Sequence, residues 1–318
     1  MTQNEFNEIV KRMNTAEDSN NNGSVADALI ISDGTNVFKH VFTVHGRKLH
    51  EVRSIGKLVV SLCIGILIDS GLYSVDDEQL SLNTQIWSIL SEKVHLLNTT
   101  NIVFLKKLTI KNLLTQTTGY SNDELLFSAT LKNHNYDELL DIVFNEPINN
   151  EPGELFVYSN ASAFILSAFI QELTGESLYE YAKKVLFVPL DIIKHSWINY
   201  GKYCAGATGL YLMSEDVYKL GKLMLDKGAW NHKQIVSEVF INEMIKAQVE
   251  ILDDKWRKHP LSPTGYGFFM WISNSDRYYI SGAKGQYLII KPSKEIIVSV
   301  LSNQENTIPL LNSLKDIL

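Results

Sequence analysis

The sequence predicts an α+β protein, in which an antiparallel sheet is flanked by helices and a mostly helical lobe is inserted. Stretches rich in β-branched and aromatic residues occur near both ends of the chain. The region between them carries apolar residues at helical spacing. We therefore assign residues 1–75 and 205–318 to one discontinuous lobe that contains the sheet. Residues 76–204 form the helical lobe, and the two lobes make up one unit.

The N-terminal part of the chain is predicted to contain a helix, a hairpin and a second helix. Helical spacing of apolar residues predicts an amphipathic helix over about residues 3–14. In "ADALIISDGTNVFKHVFTV" two strand-like stretches flank Asp33-Gly34, a pair typical of hairpin turns. The apolar run after Ser54 predicts a buried helix that ends at Gly71.

The middle of the chain is predicted to be helical and the C-terminal part mostly strands. Helical spacing is found in "LTIKNLLTQTTG" and in "NASAFILSAFIQELTGESLYEYAKKVL". "MSEDVYKLGKLMLDKG" predicts a further helix, with a Ser-x-x-Asp start and a glycine at its end. Four strands are then predicted, in "GYGFFMWI", "RYYISG", "QYLIIKP" and "EIIVSVLS". A last helix covers about residues 306–317.

Composition and charge limit the possible partners. A formal net charge of −7 disfavours nucleic acid and anionic membranes, because both bind clustered Lys and Arg. The longest apolar run, Leu58–Ile68, is too short to cross a bilayer. The first residues lack the apolar core of a signal peptide. These features predict a cytoplasmic protein that binds neither membranes nor nucleic acids.

Cysteine and histidine usage predicts neither a disulfide nor a metal site. Cys63 and Cys204 are the only cysteines, and Cys63 lies in the apolar run. A buried, reduced thiol is expected there in a reducing compartment. The eight histidines are scattered, and no His or Cys cluster has the spacing of zinc ligands. We therefore expect no metal and no cofactor.

Two Ser-x-x-Lys matches are candidates for a nucleophile and its base. They are Ser54 with Lys57 and Ser281 with Lys284, and a chain of this length contains roughly one by chance. On a helix, positions i and i+3 share a face, so Ser54 and Lys57 can touch. On a strand they point to opposite faces, which disfavours the second pair. A helix N-cap is the simpler alternative for Ser54, but Lys57 leads into an apolar helix and needs a partner for its charge.

A Tyr-x-Asn triplet provides the second candidate element. Tyr158-Ser159-Asn160 lies between a Pro-Gly turn and a new helix, in "EPGELFVYSNAS". A tyrosine near a neutral lysine can relay protons, and an asparagine amide can bind both a lysine and a substrate amide. A second triplet, Tyr120-Ser121-Asn122, follows a helix-ending glycine instead of leading a helix. We therefore favour Tyr158, for which a core tyrosine is the simpler alternative.

The segment "YYISGAKGQYLIIKP" is the third candidate element. Its Gly-Ala-Lys-Gly stretch, residues 282–285, would let a substrate approach the backbone of a strand closely. The edge of that strand would then offer an N–H group to an oxyanion. A bulge or a hairpin turn is the alternative for the same stretch.

In this order, these stretches resemble the serine β-lactamase and penicillin-binding-protein superfamily. The resemblance is closest to the class C and esterase-like branch, which includes the 6-aminohexanoate-oligomer hydrolases. It covers nearly the whole chain. The segments that carry it are "RSIGKLVVSLCIGILIDSGLYSVDD", "LTIKNLLTQTTGY", "EPGELFVYSNAS", "GATGLYLMSEDVYKLGKLMLDKG" and "GYGFFMWI…SGAKGQYLIIKP".

The resemblance implies a β-lactamase-like fold and acyl transfer through a covalent serine intermediate. It makes Ser54 the nucleophile, Lys57 its base and Tyr158 a proton relay. Asn160 would position Lys57 and the substrate. The backbone N–H groups of Ser54 and Gln286 would form the oxyanion hole. Lys57 can accept the serine proton only if burial or a neighbouring cation lowers its pKa.

One departure from the family pattern concerns the third segment. If Gly285 matches the last glycine of Lys-Thr-Gly, Ala283 stands where a lysine or histidine is expected and Lys284 takes the middle position. The positive charge that often holds the carboxylate of a β-lactam or peptide is then displaced or absent. This favours a small-molecule ester or amide as the acyl substrate over efficient cleavage of β-lactams or cell-wall peptides.

Other functions find less support, and one stays open. An α/β-hydrolase needs Gly-x-Ser-x-Gly, and "GYSND" lacks the last glycine. Dinucleotide binding needs a third glycine that "GYGFFM" lacks. A penicillin-recognising sensor, or a degenerate acyl-binding protein, could keep Ser54 and Lys57 and fail at deacylation. Specificity would lie in loops and in aromatic residues, for which core packing is the simpler alternative: Tyr120, Tyr203, Tyr266 and Trp271.

Overall fold

An antiparallel sheet of eight strands forms the centre of the fold in the computed structural model, which describes residues 1–17, 23–127, 131, 134–273 and 276–318. From one edge to the other its strands are Val249–Glu250, Pro263–Tyr266, Trp271–Ser273, Arg277–Gly282, Gln286–Lys291, Ile296–Leu301, Ala28–Asp33 and Val37–Val41. In chain order the last two are β1 and β2, and the first six are β12 to β17. The N-terminal hairpin joins the C-terminal strands where Ala28 of β1 lies opposite Leu301 of β17. This confirms the predicted α+β fold class.

The other strands are short, and helices fill most of the middle of the chain. The strands are β3 (His50–Glu51), β4 (Ser74–Val75), β5 (Glu78–Gln79), β6 (Ser196–Trp197), β7 (Asn199–Tyr200), β8 (Tyr203–Cys204), β9 (Leu210–Leu212), β10 (Ala229–Trp230) and β11 (Lys233–Gln234). The helices are α1 (Gln3–Thr15), α2 (Gly56–Asp69), α3 (Trp87–Leu90), α4 (Ile102–Leu105), α5 (Ile110–Leu114), α6 (Leu139–Asn145), α7 (Ala161–Thr174), α8 (Leu178–Ala182), α9 (Ser214–Leu225), α10 (Glu238–Met244), α11 (Asp254–Arg257) and α12 (Ile308–Ser313).

The central strands of the sheet are covered on both faces. Every residue of β17 after Ile296 is buried, although neighbouring side chains on a strand point to opposite faces. Helix α9 packs on β17, β16 and β1, and α1 packs against α12. Phe6 of α1 also stacks on Phe38 of β2, with ring centroids 5.3 Å apart. Burial at consecutive positions of β17 follows from this cover.

Helix α2 runs through the interior and contacts α7 and α8. Its sequence, GKLVVSLCIGILID, is apolar almost throughout, so burial of nearly every position is favourable. Cys63 of α2 and Cys204 are buried free thiols, and burial raises the pKa of both. The structure thus confirms the buried helix predicted after Ser54. Lys57 is the one charged side chain among its buried residues.

The single strand predicted in "GYGFFMWI" is wrong. The chain forms two strands there, β13 and β14, joined by a turn at residues 267–270. The Gly267 N–H donates to Met270 O (2.8 Å) and closes the turn. A Cβ at position 267 would lie 2.1 Å from Met244 O, so only glycine allows this close packing against α10. Composition favoured a strand, and tertiary packing of the turn overrode it.

Candidate active site

Ser54 lies where a short 3-10 turn, Arg53–Ile55, leads directly into α2. Lys57 stands in the first turn of the helix, and its Nζ lies 3.3 Å from Ser54 Oγ. The N-cap of α2 is Ile55, so Ser54 does not occupy the capping position. The i, i+3 spacing therefore brings the two side chains together, as the helical argument predicts.

Lys57 is completely buried, with 0 % of its surface exposed. Its Nζ also donates to Asn160 Oδ1 (2.7 Å) and to Tyr158 OH (3.2 Å). Burial lowers the pKa of Lys57 from 10.5 to about 7, because removal from water disfavours the charged form. An amine with that pKa is partly neutral near pH 7, so it can accept a proton from a hydroxyl 3.3 Å away.

Asn160 orients the lysine and is itself held in place. It directly precedes α7, and its Nδ2 donates to Leu126 O at 3.0 Å. Its backbone N–H donates to Leu125 O at 3.2 Å. Because the amide nitrogen is occupied by Leu126, the oxygen Oδ1 is the end that faces Lys57.

Tyr158 is surrounded by other aromatic rings. Its centroid lies 5.6 Å from that of Trp271, 5.5 Å from Trp256 and 6.4 Å from Phe127. Burial raises the pKa of Tyr158 to about 12, although a hydrogen bond with Ser54 acts in the opposite direction. Tyr158 is therefore a neutral phenol near pH 7. Of these two groups, only Lys57 can accept a proton near pH 7, whereas Tyr158 can donate or relay one.

The residue before Ser54 has a left-handed backbone conformation. Arg53 has φ of 53°, which costs a residue with a Cβ of order 1–3 kcal/mol and persists only where the surrounding structure holds it. Arg53 Nη1 is 2.8 Å from Glu51 Oε2. The other oxygen of Glu51 accepts from Thr208 Oγ1 (3.0 Å) and Gly209 N (3.2 Å). Glu51 thus ties the turn at Ser54 to the loop before β9, a connection that no spacing in the sequence indicates.

The end of β15 lies beside the same turn. A Cβ at Gly282 would lie 2.6 Å from Val52 O and 2.8 Å from the Cβ of Arg53, so only glycine fits there. The strand ends at Gly282, and residues 283–285 form the hairpin turn that leads into β16. The placement of 282–285 on a strand is therefore wrong beyond Gly282, and the hairpin-turn alternative is right for the rest.

The predicted residues of this hairpin separate into two groups. Lys284 lines the cavity at Ser54, and its Nζ pairs with Glu305 Oε1 at 3.2 Å. Gly285 is buried, and a Cβ there would meet the Ser302 side chain at 3.0 Å. Gln286 lies on β16 opposite Gly282, and its Oε1 accepts from Ser302 N at 3.3 Å. The structure therefore brings Ser54, Lys57, Tyr158 and Asn160 together, and Lys284 lies at the cavity, but Gly285 and Gln286 are not among its lining residues.

Ser54 opens into a cavity of about 300 Å³. Its other lining residues are Asp123, Phe127, Tyr158, Lys255, Trp256, Trp271, Ser281, Gly282, Ala283, Lys284, Tyr287 and Thr307. Of the aromatic residues expected to set specificity, Trp271 lines the cavity and Tyr266 packs on its ring at 4.8 Å. Tyr120 is buried away from it, and the Tyr203 hydroxyl donates to Glu172 at 2.6 Å. The sequence does not indicate Phe127 and Trp256 as lining residues, because both stand in loop-like sequence without a motif.

The described residues include neither a metal-binding cluster nor a membrane-spanning helix. Within those residues, no group of three or more His, Cys, Asp and Glu side chains could hold a metal ion. In the same part of the chain, no helix is both long and apolar enough to cross a membrane.

The chain is similar to known proteins in sequence and in fold. Residues 16–316 match the family model described as "Beta-lactamase". A protein from Bacillus anthracis assigned as a 6-aminohexanoate-dimer hydrolase superposes with a TM-score of 0.71, at 19% identity over 92% of this chain and 77% of that one. A penicillin-binding protein from Bacillus halodurans gives a TM-score of 0.72, at 17% identity over 92% of this chain and 97% of that one. Both identities are low, so these two likenesses concern the fold alone.

One curated relative is similar in sequence over a shorter stretch. "Protein flp" of Staphylococcus aureus (strain MW2) is 32% identical over 97 residues, which is 30% of this chain and 19% of that protein. The similarity thus spans about a fifth of the length of that relative.

Proposed function

This chain belongs to the beta-lactamase family, and from that premise we propose that it is a serine hydrolase that cleaves a small ester or amide through an acyl-enzyme on Ser54. One observation carries the proposal. The buried Lys57 Nζ lies within hydrogen-bond distance of Ser54 Oγ, Tyr158 OH and Asn160 Oδ1 at once. A nucleophile, a base with a lowered pKa and a proton donor in mutual contact are the groups that acyl transfer requires.

In acylation, neutral Lys57 takes the Ser54 proton as Oγ attacks the acyl carbon. The bond to the leaving group then breaks, and Tyr158 gives its proton to the departing oxygen or nitrogen. Tyr158 recovers a proton from the Lys57 ammonium, 3.2 Å away. Asn160 holds Nζ in position throughout, because its own amide is fixed by Leu126. In deacylation the same groups activate water and return the proton to Ser54.

We assign the oxyanion hole to two backbone N–H groups. Ser54 supplies one, and the second comes from the end of β15, at Gly282 or Ala283. The second donor therefore differs from the backbone N–H of Gln286, which the family resemblance implies. This assignment is supported by the lining of the cavity and by the close packing of Gly282 on Val52 and Arg53. One such donor contributes roughly 3–4 kcal/mol to transition-state stabilisation.

An ester or amide without an essential carboxylate fits better than a penicillin. Lys284 is the basic residue in the hairpin, and its charge is already paired with Glu305 at 3.2 Å. Lys284 lies on a turn after β15 instead of on the strand itself. The cavity therefore lacks an unpaired cation in the hairpin to hold a carboxylate next to Ser54.

Turnover of p-nitrophenyl acetate and of a fluorescent penicillin tests the proposal. We expect steady release of p-nitrophenol from the parent and at least a thousandfold loss in Ser54→Ala. Ser281→Ala is the matched control, since it removes the serine of the other Ser-x-x-Lys match, which also lines the cavity. A penicillin adduct on Ser54 that never clears, without ester turnover, would identify a sensor instead. Equal rates in Ser54→Ala and the parent would refute the proposal.

A further inference from the structure

The cavity at Ser54 has two chemically different walls. One consists of aromatic faces from Phe127, Trp256 and Trp271. The other consists of residues 281–284 together with Tyr287 and Thr307, whose hydroxyls are 3.1 Å apart. A substrate bound at Ser54 therefore meets both flat apolar surface and polar groups.

Tyr158 belongs to the aromatic wall. Phe127 and Trp271 lie nearly parallel to its ring, at interplanar angles of 18° and 21°, and Trp256 lies 4.7 Å from Trp271. Phe127 and Trp256 are only partly buried, so parts of these two large apolar rings face the cavity. Partly exposed aromatic faces of this kind bind flat apolar groups by stacking and by burial of surface.

The charges at the edge of this wall cancel. Lys255 Nζ and Asp123 Oδ2 are 3.4 Å apart, and together they link the helix that carries Trp256 to the loop that carries Phe127. Lys255 Nζ also lies 5.2 Å above the Trp256 ring. The wall therefore carries no net charge from this pair, and a neutral group suits it better than an ion.

The position of the proton donor decides which half of the substrate meets this wall. Tyr158 gives its proton to the departing atom, so the leaving group must lie beside Tyr158. The oxyanion lies beside the end of β15, among the polar lining groups. We propose that the enzyme is selective for esters and amides whose leaving alcohol or amine carries a neutral aromatic group, bound against Phe127 and Trp256.

This inference rests on the proposed function and adds the class of leaving group. The Ser54 Oγ–acyl carbon bond forms, the bond from that carbon to the leaving oxygen or nitrogen breaks, and the leaving group departs with the proton from Tyr158. Phe127 and Trp256 contact only the departing part. They therefore influence acylation and have no contact with what remains in the acyl-enzyme.

A pair of acetate esters tests the proposal, because both give the same acetyl-enzyme. Relative to methyl acetate, and after correction for their rates of alkaline hydrolysis, we expect 2-naphthylmethyl acetate to have a kcat/KM about 10–100 times higher. Trp256→Ala should lower that ratio about tenfold, whereas Trp256→Phe should keep most of it. The deacylation rate of the acetyl-enzyme should be the same in all three proteins, which would also show that Tyr158 is intact.

Moving the ring to the acyl side provides the control. The ratio of kcat/KM for methyl 2-naphthylacetate and methyl acetate should not change in Trp256→Ala. Equal kcat/KM for both acetates in the parent, or a Trp256→Ala ratio equal to that of the parent, would overturn the proposal while an acetyl-enzyme on Ser54 still formed. If no acetyl-enzyme formed on Ser54 from either ester, the proposed function itself would fail.

Discussion

Replacing Lys57 by methionine should change the pH dependence of stability by an amount that the structure sets. The native pKa of about 7 lies well below the ordinary value of 10.5, and each pKa unit corresponds to about 1.4 kcal/mol. Charged Lys57 therefore destabilises the native protein by about 5 kcal/mol relative to a lysine with an ordinary pKa. Lys57 has 0 % exposure, so solvent screening does not reduce this figure.

The sign follows from proton counting. Between about pH 7 and pH 10.5 the unfolded chain holds the Lys57 proton and the native protein has lost it. The free energy of unfolding contributed by this group therefore rises with pH across that window. The destabilisation is complete below about pH 7 and is gone above 10.5. From pH 7 to pH 9 the gain works out to about 2 kcal/mol.

Urea unfolding of the parent and Lys57→Met at pH 7, 8 and 9 measures this gain. The difference in the free energy of unfolding, parent minus variant, should increase by about 2 kcal/mol over the series, with unchanged m values. Other titrating groups cancel in the difference. Parallel pH profiles for the two proteins would refute the claim that Lys57 is buried with a lowered pKa.

Three further predictions concern the reaction itself. Because neutral Lys57 is the proposed base, kcat/KM for p-nitrophenyl acetate should rise about tenfold per pH unit below about pH 7 and level off above it. A kcat/KM that falls as the pH rises through that range would contradict this. Tyr158→Phe should lower kcat/KM about 10²–10⁴-fold. Tyr120→Phe is the control and should leave kcat/KM unchanged, because the Tyr120 hydroxyl is buried without a hydrogen-bond partner among the described residues. Similar losses in both variants would refute a specific role for the Tyr158 hydroxyl. Glu51→Gln should slow acylation, measured by stopped flow, because it weakens the ion pair that stabilises the left-handed conformation of Arg53. Adding Arg53→Gly should restore part of the rate, since glycine adopts that conformation without strain. No recovery in the double variant would show that Glu51 acts in another way.

The sequence indicates much of the site, because one contact of Lys57 is local and the other two belong to a family pattern. Ser54 and Lys57 meet through helical spacing alone. Tyr158 and Asn160 lie about 100 positions further along the chain, with separations of 101 and 103 residues from Lys57. Periodicity cannot predict contacts between residues that are so far apart in the sequence, so only the family resemblance indicates them. The strands of the N-terminal hairpin and of residues 277–301 follow from β-branched runs with clear turn residues between them.

The parts that the sequence did not indicate depend on tertiary packing. "GYGFFMWI" has the composition of a strand, and the turn within it exists because Gly267 packs against Met244. The sequence predicts residues 283–285 on the strand, because nothing in "SGAKGQ" marks Gly282 as the residue that packs against Val52. Trp256 stands between charged residues in a four-residue helix, and only the folded chain brings it to Tyr158.

Trapping the acyl-enzyme tests the central claim most directly. The protein is mixed with p-nitrophenyl acetate, quenched in acid before deacylation is complete, digested and analysed by mass spectrometry, with Ser54→Ala treated in parallel. The account predicts one acetyl group, on the peptide that contains Ser54, absent from Ser54→Ala and lost with time from the parent. An acetyl group on another residue such as Ser281, or turnover of the ester with no acetyl group on Ser54 at any quench time, would contradict it.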